Sequence, residues 1–286
     1  MLYKILSKLN GSNRVIKEVK DALNRHAFDL SALTGNLQVQ RTLLRERYGA
    51  FLMHTAKPVA YDSPDHISPW GTARDNSVEL RFNAKLLNWI LPHRLRLLDL
   101  GCSGGGQVRS FIEQGCLAIG VEGSDHSFRS LRAEWASIPE FLFTADITVP
   151  FELRQEAGGG APFLFSVITI WEVIEHIQRK DLPMVWENMK RHLAPGGVVI
   201  MSVSNISDVQ GGVELHQTRE QPAWWKAQLE AAGFRNHPEA LAYFGNDWVR
   251  WDANAPGSFH FVLSRRDEVP IGMDRLKRLR PSAGAQ

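Results

Sequence analysis

From Leu95 onward, short apolar runs alternate with longer amphipathic stretches, a pattern typical of strands and helices in a parallel sheet. Strands are predicted at Leu95–Leu100, Cys116–Val121, Phe141–Ala145, Phe165–Trp171, Val198–Val203 and Phe259–Leu263. Helices are predicted at Val108–Gln114, Phe128–Trp135, Leu182–Leu193 and Trp224–Ala232. The pattern therefore predicts an α/β fold.

The chain before Leu95 follows another pattern. Between Asn13 and Met53 apolar residues recur at helical intervals with an interruption near Gly35, which predicts two amphipathic helices. The next stretch is rich in Pro, Gly, Asp and Asn but contains Trp70, which predicts an ordered loop. The tail from Arg265 is basic and is predicted to fray.

Composition excludes several classes of protein. The chain has 286 residues, which suits either two domains or one α/β domain with an extension. Its 33 Lys and Arg against 31 Asp and Glu leave a net charge of +2, too small to attract nucleic acid along the whole chain. The two cysteines lack metal-ligand spacing, which favours a reducing, cytoplasmic setting. No apolar run is long enough for a signal peptide or a membrane span.

The stretch LLDLGCSGGGQVRSFIEQGCLAIGVEGSD predicts a nucleotide-binding turn between a strand and a helix. Its glycines, from Gly101 to Gly106, let the backbone adopt positive φ and approach a ligand closely. Glu122 follows Asp99 by 23 positions, where a carboxylate accepts the hydroxyls of a ribose. NAD, FAD and S-adenosylmethionine all fit this geometry.

The order of motifs resembles the class I S-adenosylmethionine-dependent methyltransferases over most of residues 95–265. The matching segments are Asp99–Gly105, Phe143–Ile147, Trp171–Ile177 with its EVIEH sequence, Leu193–Gly197, and an ending formed by His216, Trp224, Trp225 and Ala232–Phe234. Two positions depart from the family: Ser103 replaces the middle glycine of DLGCGTG, and Ser166 opens the fourth strand where many relatives have Asp. An NAD dehydrogenase is disfavoured because GxGxxG is missing.

The resemblance implies a doubly wound, seven-stranded, mostly parallel sheet of the Rossmann-like methyltransferase type. Together with the apolar spacing and the basic composition of the tail, it predicts a helical extension and lid loop over residues 1–75, a donor-binding domain over 76–266 and a disordered basic tail over 267–286. S-adenosylmethionine would be the methyl donor. Its expected contacts are Asp99, Gly101, Ser103, Gly104, Gly105, Glu122, Gly123, Asp146, Ile147 and Trp171.

Candidate catalytic residues follow the fourth strand, at the edge where ligands of open α/β sheets bind. His176 is a candidate general base with Glu175 orienting it, although a structural cap on the loop explains His176 equally well. Alternatively, Glu172, Glu175, His176 and His216 bind a divalent cation such as Mg²⁺. The EVIEH sequence resembles metal-assisted ubiquinone-pathway and small-RNA methyltransferases, and many metal-free relatives also carry it.

The loop before the first strand of the α/β region suits a substrate. Trp70 can stack on a sugar face while hydrogen-bonding groups contact the hydroxyls. The proposed acceptor contacts are His66, Trp70, Arg74, Asn76 and His216. A purely structural loop with Arg74 and Asp75 paired is the alternative.

These observations predict methyl transfer to a hydroxyl of a sugar or another small molecule. A metal-assisted RNA 2′-O-methyltransferase is a competing prediction, although the sequence has no strong basic groove. A non-catalytic module that binds S-adenosylmethionine is a third, because Ser166 leaves no carboxylate base on the fourth strand. The N-terminal helices are candidates for an oligomer contact.

Overall fold

The structure is a computed structural model that describes residues 17–18, 35–251 and 255–279. The chain divides into two units, Met1–Leu43 and Leu44–Gln286. The boundary expected at residues 75 and 76 therefore falls inside the second unit. Most of the first helix predicted after Asn13 lies outside the described residues.

Strands and helices of the described part alternate only in part. The strands are β1 (Phe51–Thr55), β2 (Arg96–Leu100), β3 (Leu117–Glu122), β4 (Leu142–Thr144), β5 (Phe151–Gln155), β6 (Phe165–Trp171), β7 (Leu193–Ser204), β8 (Val209–Gln210), β9 (Val213–Glu214), β10 (Phe234–Asn236) and β11 (Ser258–Arg265). The helices are α1 (35–48), α2 (Pro64–Ile67), α3 (Leu80–Trp89), α4 (Gly106–Glu113), α5 (His126–Arg129), α6 (Leu182–His192), α7 (Pro222–Ala231), α8 (Pro238–Phe244) and α9 (Met273–Leu279).

Seven described strands form one sheet in the order β10-β11-β7-β6-β2-β3-β4. Strands β4, β3, β2, β6 and β7 run parallel, and β11 is antiparallel to both β7 and β10. Every residue of β3 and β6 is buried, because the central strands of a parallel sheet are covered on both faces. The predicted doubly wound, seven-stranded, mostly parallel sheet is confirmed.

One predicted helix is wrong. Instead of a continuous helix over Phe128–Trp135, α5 ends at Arg129, and the backbone then turns through positive φ at Leu131 and Ala133. A 3₁₀ turn follows at Ala133–Ala136. The physical reason is tertiary: the side chain of Arg132 reaches the carbonyl oxygens of Thr72 and Asp75, and such contacts override local helix propensity.

The two ends of the described chain also differ from the sequence prediction. The second N-terminal helix was predicted to reach Met53, but α1 ends at residue 48 and β1 pairs antiparallel with β5. The predicted disorder of residues 267–286 does not hold for 267–279, where α9 forms and buries Met273 and Leu276. The basic composition of this segment predicted fraying, although Met273 and Leu276 are buried and hold it in the fold.

The arrangement of the sheet decides where a site can lie. Strands β2, β3, β4, β6 and β7 are parallel, so their carboxyl ends share one edge. The loops that leave this edge come together above it, which is where open α/β sheets bind ligands. All the motif segments from Asp99 to Ile177 contribute residues to this edge or to the loops that follow it.

Candidate functional site

A cavity of about 630 Å³ opens above the carboxyl edge of the sheet. Loops after five parallel strands line it, together with residues between 57 and 75 and between 250 and 256. We call residues 57–76 the overlying segment. Of the expected donor contacts, the cavity is lined by Gly101, Ser103, Glu122, Gly123, Asp146, Ile147 and Trp171.

The remaining donor candidates lie behind the cavity wall. A Cβ on Gly104 would lie 2.4 Å from Asn76 Oδ1, and one on Gly105 would lie 2.9 Å from a methyl group of Leu142. Glycine is therefore required at these two positions because neighbouring protein atoms leave no space for a side chain. Asp99 is buried and accepts a hydrogen bond of 2.7 Å from Thr169, while burial raises the pKa of Asp99 to about 7.

Glu122 lies at the carboxyl end of β3 and faces the cavity. Its carboxylate accepts hydrogen bonds from the backbone N–H groups of Ser103 at 2.7 Å and Ser124 at 3.1 Å. Burial raises the pKa of Glu122, and the two N–H groups oppose this rise by stabilising the charged form. The carboxylate is therefore held at one orientation by the loops on either side of it.

Asp146 follows β4 at another side of the same cavity. Its Oδ1 accepts hydrogen bonds from the backbone and hydroxyl of Thr148, which closes a tight turn. Its Oδ2 lies 3.6 Å from Lys57 Nζ on the overlying segment. Trp171 lines the cavity as well, and its buried Nε1 has no hydrogen-bond partner within the described protein.

Three predicted metal or catalytic residues come together after β6. Ligand atoms of Glu175, His176 and His216 all lie within 4.8 Å of one another. Glu175 Oε1 accepts a hydrogen bond of 2.7 Å from the backbone N–H of Ser204, whereas its buried Oε2 has no partner among the described residues. His216 Nδ1 lies 2.7 Å from the carbonyl oxygen of Ile206.

Asp65 completes this cluster from the overlying segment. Its Oδ2 lies 2.9 Å from His176 Nδ1, and the carboxylate stands off the line of the N–H, so the contact is chiefly electrostatic. Burial alone would lower the pKa of His176, but the carboxylates of Asp65 and Glu175 outweigh it and raise this pKa to about 9. Sequence reasoning assigned Asp65 no role.

The other charges of the cluster follow from burial. Burial, reinforced by the carboxylate of Glu172, raises the pKa of Glu175 to about 8. Burial lowers the pKa of His216, and the positive charge of His176 lowers it further. A buried carboxylate with one free oxygen beside two imidazoles is costly unless a proton or a cation compensates it.

Glu172, the fourth predicted metal ligand, points elsewhere. Its Oε1 accepts a hydrogen bond of 2.8 Å from Ser258 of β11, and its backbone has a φ of +55°. Glu172 lines the cavity but is not grouped with the other three ligands. The structure thus brings together three of the four residues predicted to bind a cation.

The predicted acceptor contacts are divided. His66 and His216 line the cavity, and His66 Nδ1 lies 3.2 Å from Ser124 Oγ. Trp70 is half exposed, with the guanidinium of Arg74 stacked 3.3 Å from its ring centre, and neither lines the cavity. Asn76 donates a hydrogen bond to Glu134 beneath the glycine turn. The acceptor roles of all five residues stay predictions.

Several cavity residues gave no signal in the sequence. Arg250 lines the cavity and forms an ion pair of 2.5 Å with Asp75 of the overlying segment.

Ser166 lies at the amino end of β6, where its hydroxyl contacts the backbone of Arg94 and Arg96. An aspartate at position 166 would lie at the sheet edge opposite the cavity, so the serine there does not bear on catalysis.

The family described as a methyltransferase domain matches residues 73–243, more than half of the chain. A ubiquinone biosynthesis O-methyltransferase of Pasteurella multocida is 27% identical over 134 residues, which are 46% of this chain and 54% of that protein. A dTDP-4-amino-2,3,4,6-tetradeoxy-D-glucose N,N-dimethyltransferase of Saccharopolyspora spinosa is 31% identical over 146 residues, 49% of this chain and 54% of that protein.

The chain spans about half the length of the curated relatives it matches. Among solved structures, the 1,6-didemethyltoxoflavin-N1-methyltransferase of Burkholderia thailandensis is 17% identical with a TM-score of 0.48, and the match covers 71% of this chain and 86% of that one. In the described part of the chain, we find no helix with the length and apolar character of a membrane span.

Proposed function

Because the chain belongs to the methyltransferase domain family, of the class I S-adenosylmethionine-dependent type, we propose that it methylates a hydroxyl of a sugar or another small molecule. One observation carries the proposal. The glycine turn, Glu122, His176 and His216 line the same cavity, and a ligand atom of the buried Glu175 lies within 4.8 Å of those of the two histidines. A donor and an acceptor can therefore be held together, which is the main requirement of methyl transfer.

The donor half of the cavity suits S-adenosylmethionine, which supplies a methyl group on a positively charged sulfur. Glu122 lies at the end of β3 and lines the cavity, which supports its assignment to the ribose hydroxyls. Asp146 and Ile147 line the wall after β4, where adenine contacts are expected. The buried Nε1 of Trp171, which lacks a protein partner in the described chain, is a further donor for a bound ligand.

The acceptor half contains the groups that handle a proton. His176 is held by Asp65 at Nδ1, which leaves its other ring nitrogen for an acceptor hydroxyl or a cation. His216 Nδ1 is held by a hydrogen bond with the carbonyl of Ile206, whereas the contact of His176 with Asp65 is chiefly electrostatic. Two imidazoles anchored through one nitrogen by an oxygen are the usual arrangement of histidine metal ligands.

We further propose that Glu175, His176 and His216 bind a divalent cation. The free Oε2 of Glu175 and two imidazoles are suitable ligands, and this donor set favours Mn²⁺ or a similar ion over Mg²⁺. Such a cation lowers the pKa of a coordinated hydroxyl. Without a cation, His176 would remove the acceptor proton only in its neutral form, and with a pKa of about 9 this is the minor form at neutral pH.

Calorimetric titration of Mn²⁺ tests the cation site. We expect His216→Ala to weaken Mn²⁺ binding at least about tenfold, because one of three protein ligands is lost. His93→Ala, at an exposed histidine outside the cavity, is the matched control and should bind as the wild type does. Equal affinity of the His216→Ala and wild-type proteins would refute the site.

The charge of the cavity favours a neutral or cationic small acceptor over RNA. Its lining has the carboxylates of Asp62, Asp65, Asp75, Glu122, Asp146, Glu172, Asp181 and Asp208 against the cations of Lys57, Lys180 and Arg250. An excess of carboxylates repels phosphate groups. The same excess, with the relative named for an amino-sugar N,N-dimethyltransferase, supports an amine acceptor as the second candidate.

The decisive experiment has two steps. S-adenosylhomocysteine is first titrated by calorimetry into the wild type and Glu122→Gln, where loss of the charged acceptor should weaken binding about 10- to 100-fold. Transfer of labelled methyl from S-adenosylmethionine is then measured with hydroxyl compounds, amino sugars and short RNA. No binding by the wild type would refute the proposal, and transfer only to amines or RNA would replace the acceptor class.

Binding without transfer to any of these acceptors would instead favour the non-catalytic module. A cytoplasmic location and an oligomer contact through the N-terminal helices stay predictions. The predicted helix nearest the N-terminus falls almost wholly outside the described residues, so such a contact is best tested on the intact chain by sedimentation.

A further inference from the structure

Two backbone carbonyls of the overlying segment accept hydrogen bonds from side chains in the donor half of the cavity. Arg132 Nη2 donates to the carbonyl oxygens of Thr72 at 2.5 Å and Asp75 at 2.7 Å. Ser103 Oγ lies 3.2 Å and 3.1 Å from the same two oxygens, and 3.1 Å from Arg132 Nη2. We call Ser103, Arg132 and these two carbonyls the latch.

The latch positions a wall of the cavity. Thr72 and Asp75 both line it, and the carboxylate of Asp75 continues to Arg250 at 2.5 Å. Between them, the amides of Ala73 and Asp75 donate to the carbonyls of Pro69 and Gly71, so residues 69–75 form one hydrogen-bonded turn. The location of this turn therefore depends on the few contacts that hold its carbonyls.

Ser103 contacts both halves of the cavity. Its backbone N–H donates to Glu122 Oε2 at 2.7 Å, and Glu122 is the residue proposed to hold the donor ribose. Its hydroxyl contacts the wall through Thr72 and Asp75. A change at Glu122 that fixes the Ser103 backbone also fixes the Cβ that carries the hydroxyl, and the contacts with Thr72, Asp75 and Arg132 then select the orientation of the hydroxyl.

Backbone strain is concentrated at the latch. Four non-glycine residues of the described chain have positive φ, and three of them are Ser103 at +47° and the neighbours of Arg132, namely Leu131 at +49° and Ala133 at +48°. Glycine would adopt this conformation at position 103 without strain. Strained residues persist where surrounding contacts determine them, and such positions often serve function.

We propose that Ser103 and Arg132 are positioning residues that couple donor binding to the order of the wall at residues 72–75. The proposal rests on the proposed function, since it takes the Glu122 side of the cavity as the donor site. Binding of the donor would hold Ser103 in place, and the latch would then hold the acceptor wall. Coupling of this kind lets one ligand prepare the site of the next.

Hydrogen exchange of the backbone amides tests the coupling. The wild type, Arg132→Gln and Ser103→Gly are compared without ligand and with saturating S-adenosylhomocysteine. In the wild type, the ligand should slow exchange at Ala73–Asp75. Both variants should exchange these amides about tenfold faster without ligand and show no slowing with it.

Arg129→Gln is the matched control. Arg129 is exposed on α5 and lies 3.9 Å from Asp125, outside the latch, so this variant should behave as the wild type does. Ser103→Gly relieves strain and keeps the N–H that contacts Glu122, so it decides the outcome if Arg132→Gln folds poorly. A general loss of packing would speed exchange without removing the response to the ligand.

The two proposals fail in different ways. Wild-type exchange and ligand response at Ala73–Asp75 in both variants would overturn the latch. If S-adenosylhomocysteine slows no amide of the wild-type glycine turn, where Gly101 and Cys102 donate to Val121, the donor site itself is wrong. In that case, wild-type exchange at Ala73–Asp75 in the ligand-free variants would still refute the latch. Faster exchange of these amides would show that the latch holds the wall, and the proposed coupling to donor binding would be wrong.

Discussion

Single residues in the glycine turn are constrained by the protein as much as by a ligand. A Cβ on Gly101 would lie 2.3 Å from Val173 Cγ2, so the turn after β2 contacts the EVIEH segment after β6 directly. Gly101 also has a φ of +78°. Conformation and space both exclude a side chain here, and this close contact brings the donor and acceptor halves of the cavity together.

Two glycines with similar backbones separate these effects. Gly49 has a φ of +71° and open space around its Cβ position, so Gly49→Ala should cost only about 1 kcal/mol of unfolding free energy. Gly101→Ala adds a collision and should cost about 2–4 kcal/mol. Urea unfolding measures both. Equal losses of unfolding free energy in the two variants would show that the Val173 side chain moves aside at no energetic cost.

Among the elements, α6 and β5 are joined by a buried histidine. His192 ends α6, and its Nε2 accepts a hydrogen bond of 3.1 Å from the backbone N–H of Leu153 in β5. Its Nδ1 lies 2.9 Å from the carbonyl of Asn188, which fixes the neutral tautomer. Burial lowers the pKa of His192 to about 4. The side chain must therefore stay neutral for this joint to form.

The sign of the pH effect follows from that lowered pKa. Between about pH 6.5 and 4 the unfolded chain binds a proton at His192 that the folded chain excludes, so stability falls as pH falls through this window. The loss is on the order of 3 kcal/mol at most. Above pH 6.5 the contribution is fully present.

Urea midpoints at pH 8 and pH 5 measure this contribution. His192→Asn should be less stable than the wild type at pH 8 and should lose less stability on acidification. His93→Asn, at an exposed histidine, should follow the wild type at both values. An unchanged pH dependence in His192→Asn would assign the acid sensitivity to other groups.

For the whole molecule, the C-terminal segment is part of the fold. Helix α9 packs against α3 and α8, and a Cβ on the preceding Gly272 would lie 2.8 Å from the carbonyl of Trp89. Leu276 is fully buried, whereas Val269 in the same segment is 73% exposed. The C-terminal segment of the described chain thus packs against the helix that precedes β2.

Truncating those two side chains tests the closure. Leu276→Ala should lower the unfolding free energy by about 2–4 kcal/mol, because it leaves a cavity. Val269→Ala should change it by less than about 0.5 kcal/mol. Thermal unfolding of the two variants beside the wild type gives the comparison. Similar stability of both variants would mean that α9 does not pack as described.

Much of the sheet could be predicted, because a central parallel strand is a short apolar run. The run Phe165–Trp171 matches β6 at both ends, and the other five predicted strands are present with shifted ends. The short strands β1, β5, β8, β9 and β10 were missed, since two to five residues give little periodic signal. The false helix over Phe128–Trp135 shows that amphipathic spacing cannot reveal a strained turn held from elsewhere.

The sequence by itself determined the α/β class, the positions of six of the seven strands in the main sheet and the order of the motifs, because burial and glycine geometry act locally on the chain. Only the tertiary structure decided which polar groups meet. Asp65 reaches His176, Arg132 reaches Thr72, and Glu172 turns from its neighbours toward Ser258. Contacts between distant segments depend on how the loops fold over the sheet, and no local pattern of residues records that.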